Sequence, residues 1–184
     1  SRAVMRMCSL AMCKLLLESG IEPIMQISCR DRNKIGLQSD ILGANALGIQ
    51  NILCITGDSV KAGDQQDTKP VHEFESVRLL NQIKNFNQGI DPTFDLLKDG
   101  ATNIFPGAAA DPSCGNLKSL KKRTFKKKEA GARFIQTQMI MDKNSLKIFC
   151  EEVTRPLNLP VLAGVFLLKS YKNALFINKY VPGA

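Results

Sequence analysis

The chain has 184 residues, of which 44% are hydrophobic and 23% are charged. This balance is typical of a globular protein and excludes wholesale disorder, and the length favours one domain over residues 1–184. The net charge is +8, and nearly all of the excess lies in residues 118–128 (KSLKKRTFKKK). We expect a solvated helix face or a phosphate contact there. Nucleic-acid binding is not expected, because no aromatic interleaving or recognition motif accompanies the basic run.

The hydrophobic pattern alternates between two kinds of element along the chain. Apolar residues at helical spacing predict helices over 4–18, 35–48, 75–89, 116–131, 145–154 and 170–180. Short apolar runs predict strands over 21–29, 51–56, 101–112, 134–142 and 159–166. No run reaches the roughly 18 apolar residues of a membrane helix, so no membrane partner is expected. Strands joined by helical crossovers predict a parallel α/β sheet that is covered on both faces.

Two architectures fit this alternation, an open doubly wound sheet and a (β/α)8 TIM barrel. The open sheet usually carries a Gly-rich turn such as GxGxxG directly after a strand, and the sequence has none. The barrel gathers polar residues at the carboxyl ends of its strands. Five residues occupy such positions here: Asp31, Asp58, Asp111, Gln138 and Asp142. This pattern favours the barrel, and five strands are too few to close it, so we expect an incomplete one.

The cysteines and the single histidine argue against a metal site. Six cysteines are scattered along the chain without a CxxC pair, which favours buried free thiols in a reducing cytoplasm. With one histidine, few nitrogen ligands exist for zinc, so no metal is expected. His72 lies in the polar loop over residues 59–73 and is interpreted as solvated. The charged run 30–33 is expected to form a surface salt-bridge cluster.

Three short segments carry candidate chemistry on the residues alone. The tripeptide 56–58 (Thr-Gly-Asp) ends a strand, and its glycine allows a ligand to approach the backbone closely. Two interpretations of Asp58 are open: it accepts hydrogen bonds from a heterocyclic ligand, or it only opens a loop. Gln136 and Gln138 share one side of a strand and need partners, either a heteroaromatic ligand or an internal polar network. The small residues 107–110 leave room for a flat ligand or pack against a helix.

Four longer strings carry a resemblance to a known family. They are EPIMQISCRDRNKIGLQSDILGANALGIQNILCITGD (22–58), GAAADP (107–112), KKKEAGARFIQTQMIMD (126–142) and AGVFLLKSYKNALFINKYVPG (163–183). In this order they resemble the flavin-dependent methylenetetrahydrofolate reductases, and most of all the form fused to a homocysteine methyltransferase module. The resemblance covers essentially the whole chain.

The resemblance implies a (β/α)8 barrel with FAD at its carboxyl-end mouth, of which this chain would span about strands three to seven. It implies reduction of 5,10-methylenetetrahydrofolate to 5-methyltetrahydrofolate in one-carbon metabolism and methionine biosynthesis, in the cytoplasm. The electron donor would be a reduced nicotinamide such as NADH, or another donor. A homo-oligomer or a fused methyltransferase module is expected when the protein is full length. The alternative is a barrel subunit of a methyl-transfer pathway that binds folate or a partner without reducing it.

The resemblance also implies roles for individual residues. Asp58 and Gln138 match catalytic positions, and Gln138 also matches a substrate contact. Cofactor contacts are implied for Gln26, Thr56, Gly57, Asp58, Phe74, Glu75, Ala108, Ala110 and Lys127. Phe176, or its neighbour Ile177, matches an aromatic that packs on the substrate. Gln26 departs from the family, which commonly has a flavin-contacting histidine there, and the family's proton-donating glutamate belongs to a first strand with no counterpart in this chain.

Overall fold

The five predicted strands form one parallel sheet. The structure, a computed structural model, describes residues 3–180 except the side chain of Tyr180. Within these residues the strands are β1 (Ile24–Ser28), β2 (Asn51–Ile55), β3 (Phe105–Ala110), β4 (Phe134–Ile140) and β5 (Val161–Val165). They pair in the order β1-β2-β3-β4-β5. Each strand thus lies beside the one before it in sequence, as in a barrel, whereas a doubly wound sheet reverses its order at a switch point. The barrel-type interpretation is confirmed and the open sheet is excluded.

Six α-helices connect or flank the strands. They are α1 (Ser9–Glu18), α2 (Lys34–Ala46), α3 (Ser76–Phe86), α4 (Leu117–Glu129), α5 (Lys143–Phe149) and α6 (Tyr171–Tyr180). Side-chain oxygens of Asn33, Asn116 and Asp142 accept backbone N–H groups at the starts of α2, α4 and α5, which satisfies donors that a helix start leaves unpaired. A π-helical stretch, Cys150–Thr154, extends α5.

The first helix is shorter than the sequence predicts. The hydrophobic period suggests a start near residue 4, but α1 begins at Ser9, and Cys8 before it has an extended backbone. The preceding segment lies across the loop after β2, where the Asp64 N–H donates to the Ala3 carbonyl at 3.3 Å. No side chain caps this helix start, so no local sequence signal determines where the helix begins. The contact between the segment before the helix and the loop after β2 determines it instead.

The main core lies between the sheet and the helices. Alternate strand residues, among them Met25, Ile27, Ile52, Cys54, Ala108 and Ile135, are buried there together with apolar residues of α2 and α3. Because successive strand residues point to opposite faces, the residues between them form the inner face of the sheet. The register places Gln26, Leu53, Gly107 and Phe134 side by side on that face.

Packing on the inner face requires glycine at position 107. The rings of Phe105 and Phe134 stack with centroids 5.7 Å apart, and a Cβ atom on Gly107 would overlap the Phe134 ring. The guanidinium of Arg133 lies 4.5 Å from the Phe105 ring centroid, a favourable cation–π distance. The aromatic pair therefore fills the interior beneath the carboxyl ends of β3 and β4.

The cysteines and the helix lengths test two further expectations. All six cysteines are free thiols, and Cys13, Cys29 and Cys54 are buried as predicted, whereas Cys8 is exposed. Burial raises the pKa of the Cys29 thiol to about 11, with a smaller contribution from the charge of Glu75. Over residues 3–180 the helices are all too short or too polar to cross a bilayer.

Candidate active site

A cavity of about 270 Å³ opens at the carboxyl ends of β2, β3 and β4. Its wall combines the turn after β2, the end of β3, the inner side of α4 and one residue of β4. The structure thereby brings together six residues to which the resemblance assigns a role: Thr56, Gly57, Asp58, Ala110, Lys127 and Gln138. These residues come from four separate segments spread over 83 positions of the chain. The cavity that they line is partly polar and partly apolar, and it lies at the carboxyl ends of the strands, where a barrel fold places its active site.

The turn over residues 56–58 has a shape that only glycine allows at its centre. Gly57 has φ +92°, and an added Cβ would overlap Ser28 Oγ and lie 2.9 Å from Arg30 Cβ. The Thr56 hydroxyl oxygen accepts the Ser76 N–H at 3.4 Å, at the start of α3. The turn therefore packs closely on the end of β1 and leaves the Asp58 side chain exposed at the cavity.

Helix α4 supplies two cations to the cavity wall. Arg123 and Lys127 are four residues apart and so lie on one face of the helix, and both line the cavity. Lys127 Nζ donates to the Ala109 carbonyl at 2.6 Å. Burial, followed by the nearby charge of Arg123, lowers the pKa of Lys127, while Glu75 opposes the shift. Two fixed cations beside backbone of small residues form a suitable site for an anionic ligand.

The two glutamines of β4 lie at a register shift between β4 and β5, which falls between Gln136 and Met139 and interrupts the regular alternation. Ile135 and Thr137 are buried. The Thr137 hydroxyl donates to the Gln138 carbonyl at 2.7 Å and accepts the Gly164 N–H at 2.8 Å, which ties β4 to β5 next to Gln138. Gln138 lines the cavity, whereas Gln136 does not reach it.

The other sequence-predicted site residues lie outside this cavity. Gln26 lines a separate space of about 240 Å³ beside β1. Ala108 is fully buried in the core under the helices and does not line the cavity. Phe74 packs partly buried against the core, and Glu75 precedes α3 near enough to Lys127 to affect its pKa. Phe176 is half-exposed on α6, and its neighbour Ile177 is buried. The roles of these residues stay predictions.

The charged run 30–33 forms salt bridges, but it is only partly the surface cluster that the sequence predicts. Arg30 is buried, with only 7% of its side chain exposed, because Asp31 and the Asp58 carbonyl satisfy its donors. Only Arg32, paired with Asp40 at 2.9 Å, forms the expected surface bridge. Asp142 follows β4 at its carboxyl end, as predicted, and its carboxylate accepts the N–H groups of residues 144 and 145 and caps α5. His72 is exposed, as predicted.

Four polar residues of the cavity wall carry no sequence assignment as ligand contacts: Ser76, Asp111, Arg123 and Thr124. Thr124 is buried, and its hydroxyl has no hydrogen-bond partner among the described residues. The spacing of Arg123 and Thr124 relative to Lys127 is the one signal that reveals them, since residues three and four apart share a helix face.

Comparisons with known proteins agree with the fold and the site. The family model described as methylenetetrahydrofolate reductase matches residues 2–183. A relative from Caenorhabditis elegans, named "Probable methylenetetrahydrofolate reductase (NADPH)", is 25% identical over 164 residues, which cover 87% of this chain and 22% of the relative. The chain thus spans about a fifth of the length of this curated relative. The chain belongs to the methylenetetrahydrofolate reductase family, and its five parallel strands are part of that family's (β/α)8 barrel.

Proposed function

We propose that the protein carrying this chain reduces 5,10-methylenetetrahydrofolate to 5-methyltetrahydrofolate with FAD as hydride carrier. The observation that supports this proposal is that Asp58, Lys127 and Gln138 line one shared cavity in a chain of this family. The same proposal places the protein in the cytoplasm, in one-carbon metabolism and methionine biosynthesis. It includes self-association or a fused methyltransferase module in the full-length protein.

The residues of the cavity fit a flavin dinucleotide. The glycine at 57 and the alanines at 109 and 110 leave backbone accessible to a flat ring. Arg123 and Lys127 supply positive charge for phosphate groups. The buried Thr124 hydroxyl, without a partner among the described residues, offers a further hydrogen bond. When bound, FAD supplies the hydride chemistry, and the protein supplies position and electrostatics.

Asp58 and Gln138 fit the remaining requirement, which is recognition of a folate pterin. A pterin presents both hydrogen-bond donors and acceptors, and a glutamine amide can satisfy either kind. The carboxylate of Asp58 is exposed at the cavity and stabilises positive charge that develops on the substrate. Both side chains lie on the mouth side of the sheet, so one ligand can meet both.

The electron donor in this proposal is a reduced nicotinamide. The Caenorhabditis elegans relative is named for NADPH, and the family resemblance alone is equally consistent with NADH. Stopped-flow reduction of the bound flavin in the full-length protein by each nucleotide separates the two. If neither nucleotide reduces the flavin, the protein uses a different electron donor.

The decisive experiment purifies the full-length protein and replaces Asp58. We expect a flavin absorbance spectrum in the unmodified protein. Asp58→Asn keeps the shape and removes a negative charge beside the flavin, so the midpoint potential rises. Oxidation of the reduced flavin by methylenetetrahydrofolate slows on the order of 100-fold, as when one preorganised electrostatic contact is lost.

Asp67→Asn is the matched control, since Asp67 is exposed in the same loop and does not line the cavity. It leaves both the potential and the folate reaction unchanged. A full-length protein without flavin, or an Asp58→Asn variant with normal potential and turnover, contradicts the proposal. The first result supports the non-reducing, folate-binding alternative.

A further inference from the structure

Arg30 carries a buried charge immediately after β1. Its side chain is 7% exposed, and its Nε and Nη2 atoms donate to the two carboxylate oxygens of Asp31 at 2.6 and 2.9 Å. Such a two-pronged pair fixes the plane of a guanidinium far better than a single contact does. The Asp31 side chain is itself half-exposed, so Arg30 is the inner member of the pair and points away from solvent.

The third branch of the guanidinium reaches the turn at the cavity. Arg30 Nη1 donates to the carbonyl oxygen of Asp58 at 3.1 Å. The bond joins two residues 28 positions apart, across the ends of neighbouring strands β1 and β2. The absent side chain at Gly57 makes this approach possible, because a Cβ there would lie 2.9 Å from Arg30 Cβ.

The backbone of Arg30 is also held on both sides. Its N–H donates to Ser28 Oγ at 3.2 Å, and its carbonyl accepts the Val71 N–H at 2.8 Å. Arg30 therefore joins the end of β1, the turn over residues 56–58 and the far end of the loop over residues 59–73. Hydrogen bonding to Asp31 raises the pKa of Arg30 against the effect of burial, and the charges of Asp31 and Asp58 raise it further.

We propose that Arg30 is the positioning residue for Asp58, holding its backbone so that its carboxylate stands at a fixed place in the cavity. This inference rests on the proposed function, in which Asp58 acts on the folate substrate. Arg30 touches neither flavin nor folate in this role. Arg30 contributes to the rate because it prevents displacement of Asp58, and a displacement of about 1 Å at a reacting group can slow a reaction on the order of 100-fold.

The test measures the two half-reactions separately in the full-length flavoprotein. In Arg30→Gln, oxidation of the reduced flavin by methylenetetrahydrofolate slows by about 10- to 100-fold, while flavin content and reduction by the nicotinamide donor change less than about twofold. Arg30→Lys keeps the charge but cannot make a fork and reach the Asp58 carbonyl together. The folate half-reaction of Arg30→Lys therefore stays slow. A normal rate of this half-reaction in Arg30→Lys overturns the inference.

Two further variants protect the test against simple misfolding. Asp31→Asn leaves Arg30 in place and weakens the fork, so the folate half-reaction slows by a smaller factor than in Arg30→Gln, with flavin content unchanged. Arg32→Gln is the matched control, because Arg32 also pairs with an aspartate, Asp40, at 2.9 Å but is half-exposed. It leaves both half-reactions unchanged.

A double-mutant cycle identifies whether Arg30 acts through Asp58. If it does, adding Arg30→Gln to Asp58→Asn slows the folate half-reaction by less than about threefold. Fully multiplied effects, or equal slowing of both half-reactions with loss of thermal stability, give Arg30 a merely structural role and overturn the inference. If Asp58→Asn slows the folate step and Arg30→Gln does not, only the positioning role fails. If Asp58→Asn has no effect, the proposed function fails and the positioning role fails with it.

Discussion

An interior strand and an edge strand of the sheet differ in how well their apolar residues are covered. In β2 the three central residues, Ile52–Cys54, are buried on both faces. In β5 every residue is at least partly accessible, and Val165 is 84% exposed. Both segments are nonetheless continuously apolar runs, which are typical of strands covered on both sides. The difference shows that the β5 sequence suits a neighbour that the five described strands do not provide, as expected for part of a closed barrel.

The largest expected effect concerns the 184-residue chain expressed by itself. An edge strand with apolar side chains and unpaired backbone groups is a template for association, so we expect aggregation and no sharp reversible thermal transition. Light scattering after size-exclusion chromatography measures this, with the full-length protein as reference. Val165→Lys places a charge on the exposed edge and reduces the aggregation. A monodisperse chain with a reversible transition contradicts the comparison between the interior strand and the edge strand.

The covered interior of the sheet can be tested at Gly107 on β3, where a methyl group would meet the Phe134 ring. Gly107→Ala is expected to lower the free energy of unfolding by about 1–3 kcal/mol, the usual cost of overpacking. Gly43→Ala in helix α2 is the control, because its new methyl would lie 3.7 Å from the nearest atom, Leu10 Cδ2 of α1, which is ordinary contact. It raises the stability by up to about 1 kcal/mol. Urea unfolding of the full-length variants measures both, and equal signs would contradict the described packing.

Gln138 lies on β4, which pairs with both the covered strands and β5. Gln138→Ala is expected to weaken folate binding by about 1–3 kcal/mol, the cost of leaving a buried polar partner unpaired. Flavin content and reduction by the donor change little. Gln136→Ala, on the same strand but outside the cavity, has a smaller effect on folate. If flavin binding is lost and folate oxidation of the reduced flavin stays normal, Gln138 belongs to the cofactor site or the core.

The smallest expected effect is a pH dependence at Lys127. Because its pKa is lowered, the residue loses its proton below the range of an ordinary lysine, and flavin affinity falls as pH rises through that value. Between the lowered pKa and the unfolded value near 10.4, the unfolded chain binds more protons, so stability rises with pH relative to Lys127→Met.

Flavin fluorescence titrations between pH 7 and 10.5 measure the affinity. Lys127→Arg, which keeps its charge, removes the decline. Lys122→Met is the control, since Lys122 is an exposed residue of α4 outside the cavity, and it retains the decline. An unchanged affinity of the unmodified protein across this range would show that Lys127 does not face the phosphates.

The sequence predicts the order and type of the elements because apolar periodicity records which faces are covered. It also predicts the 56–58 turn and Gln138, since strand ends and alternation are local features. It does not predict Arg30, because nothing local distinguishes a buried arginine from a surface one when its partner lies 28 residues away. Lys127 is likewise one of six lysines in a basic run. Only the packing of α4 on β3 separates it from its solvated neighbours.

The contact between Gly107 and Phe134 has a consequence for how this family's sequences change over time. The ring occupies the volume that any side chain at position 107 would need, so the two positions are constrained jointly rather than singly. A larger residue at 107 becomes acceptable only after the aromatic at 134 has been replaced by a smaller one. Relatives with a larger residue at position 107 should therefore have a smaller residue at position 134, and a variant that enlarges 107 while it keeps the aromatic should be rare.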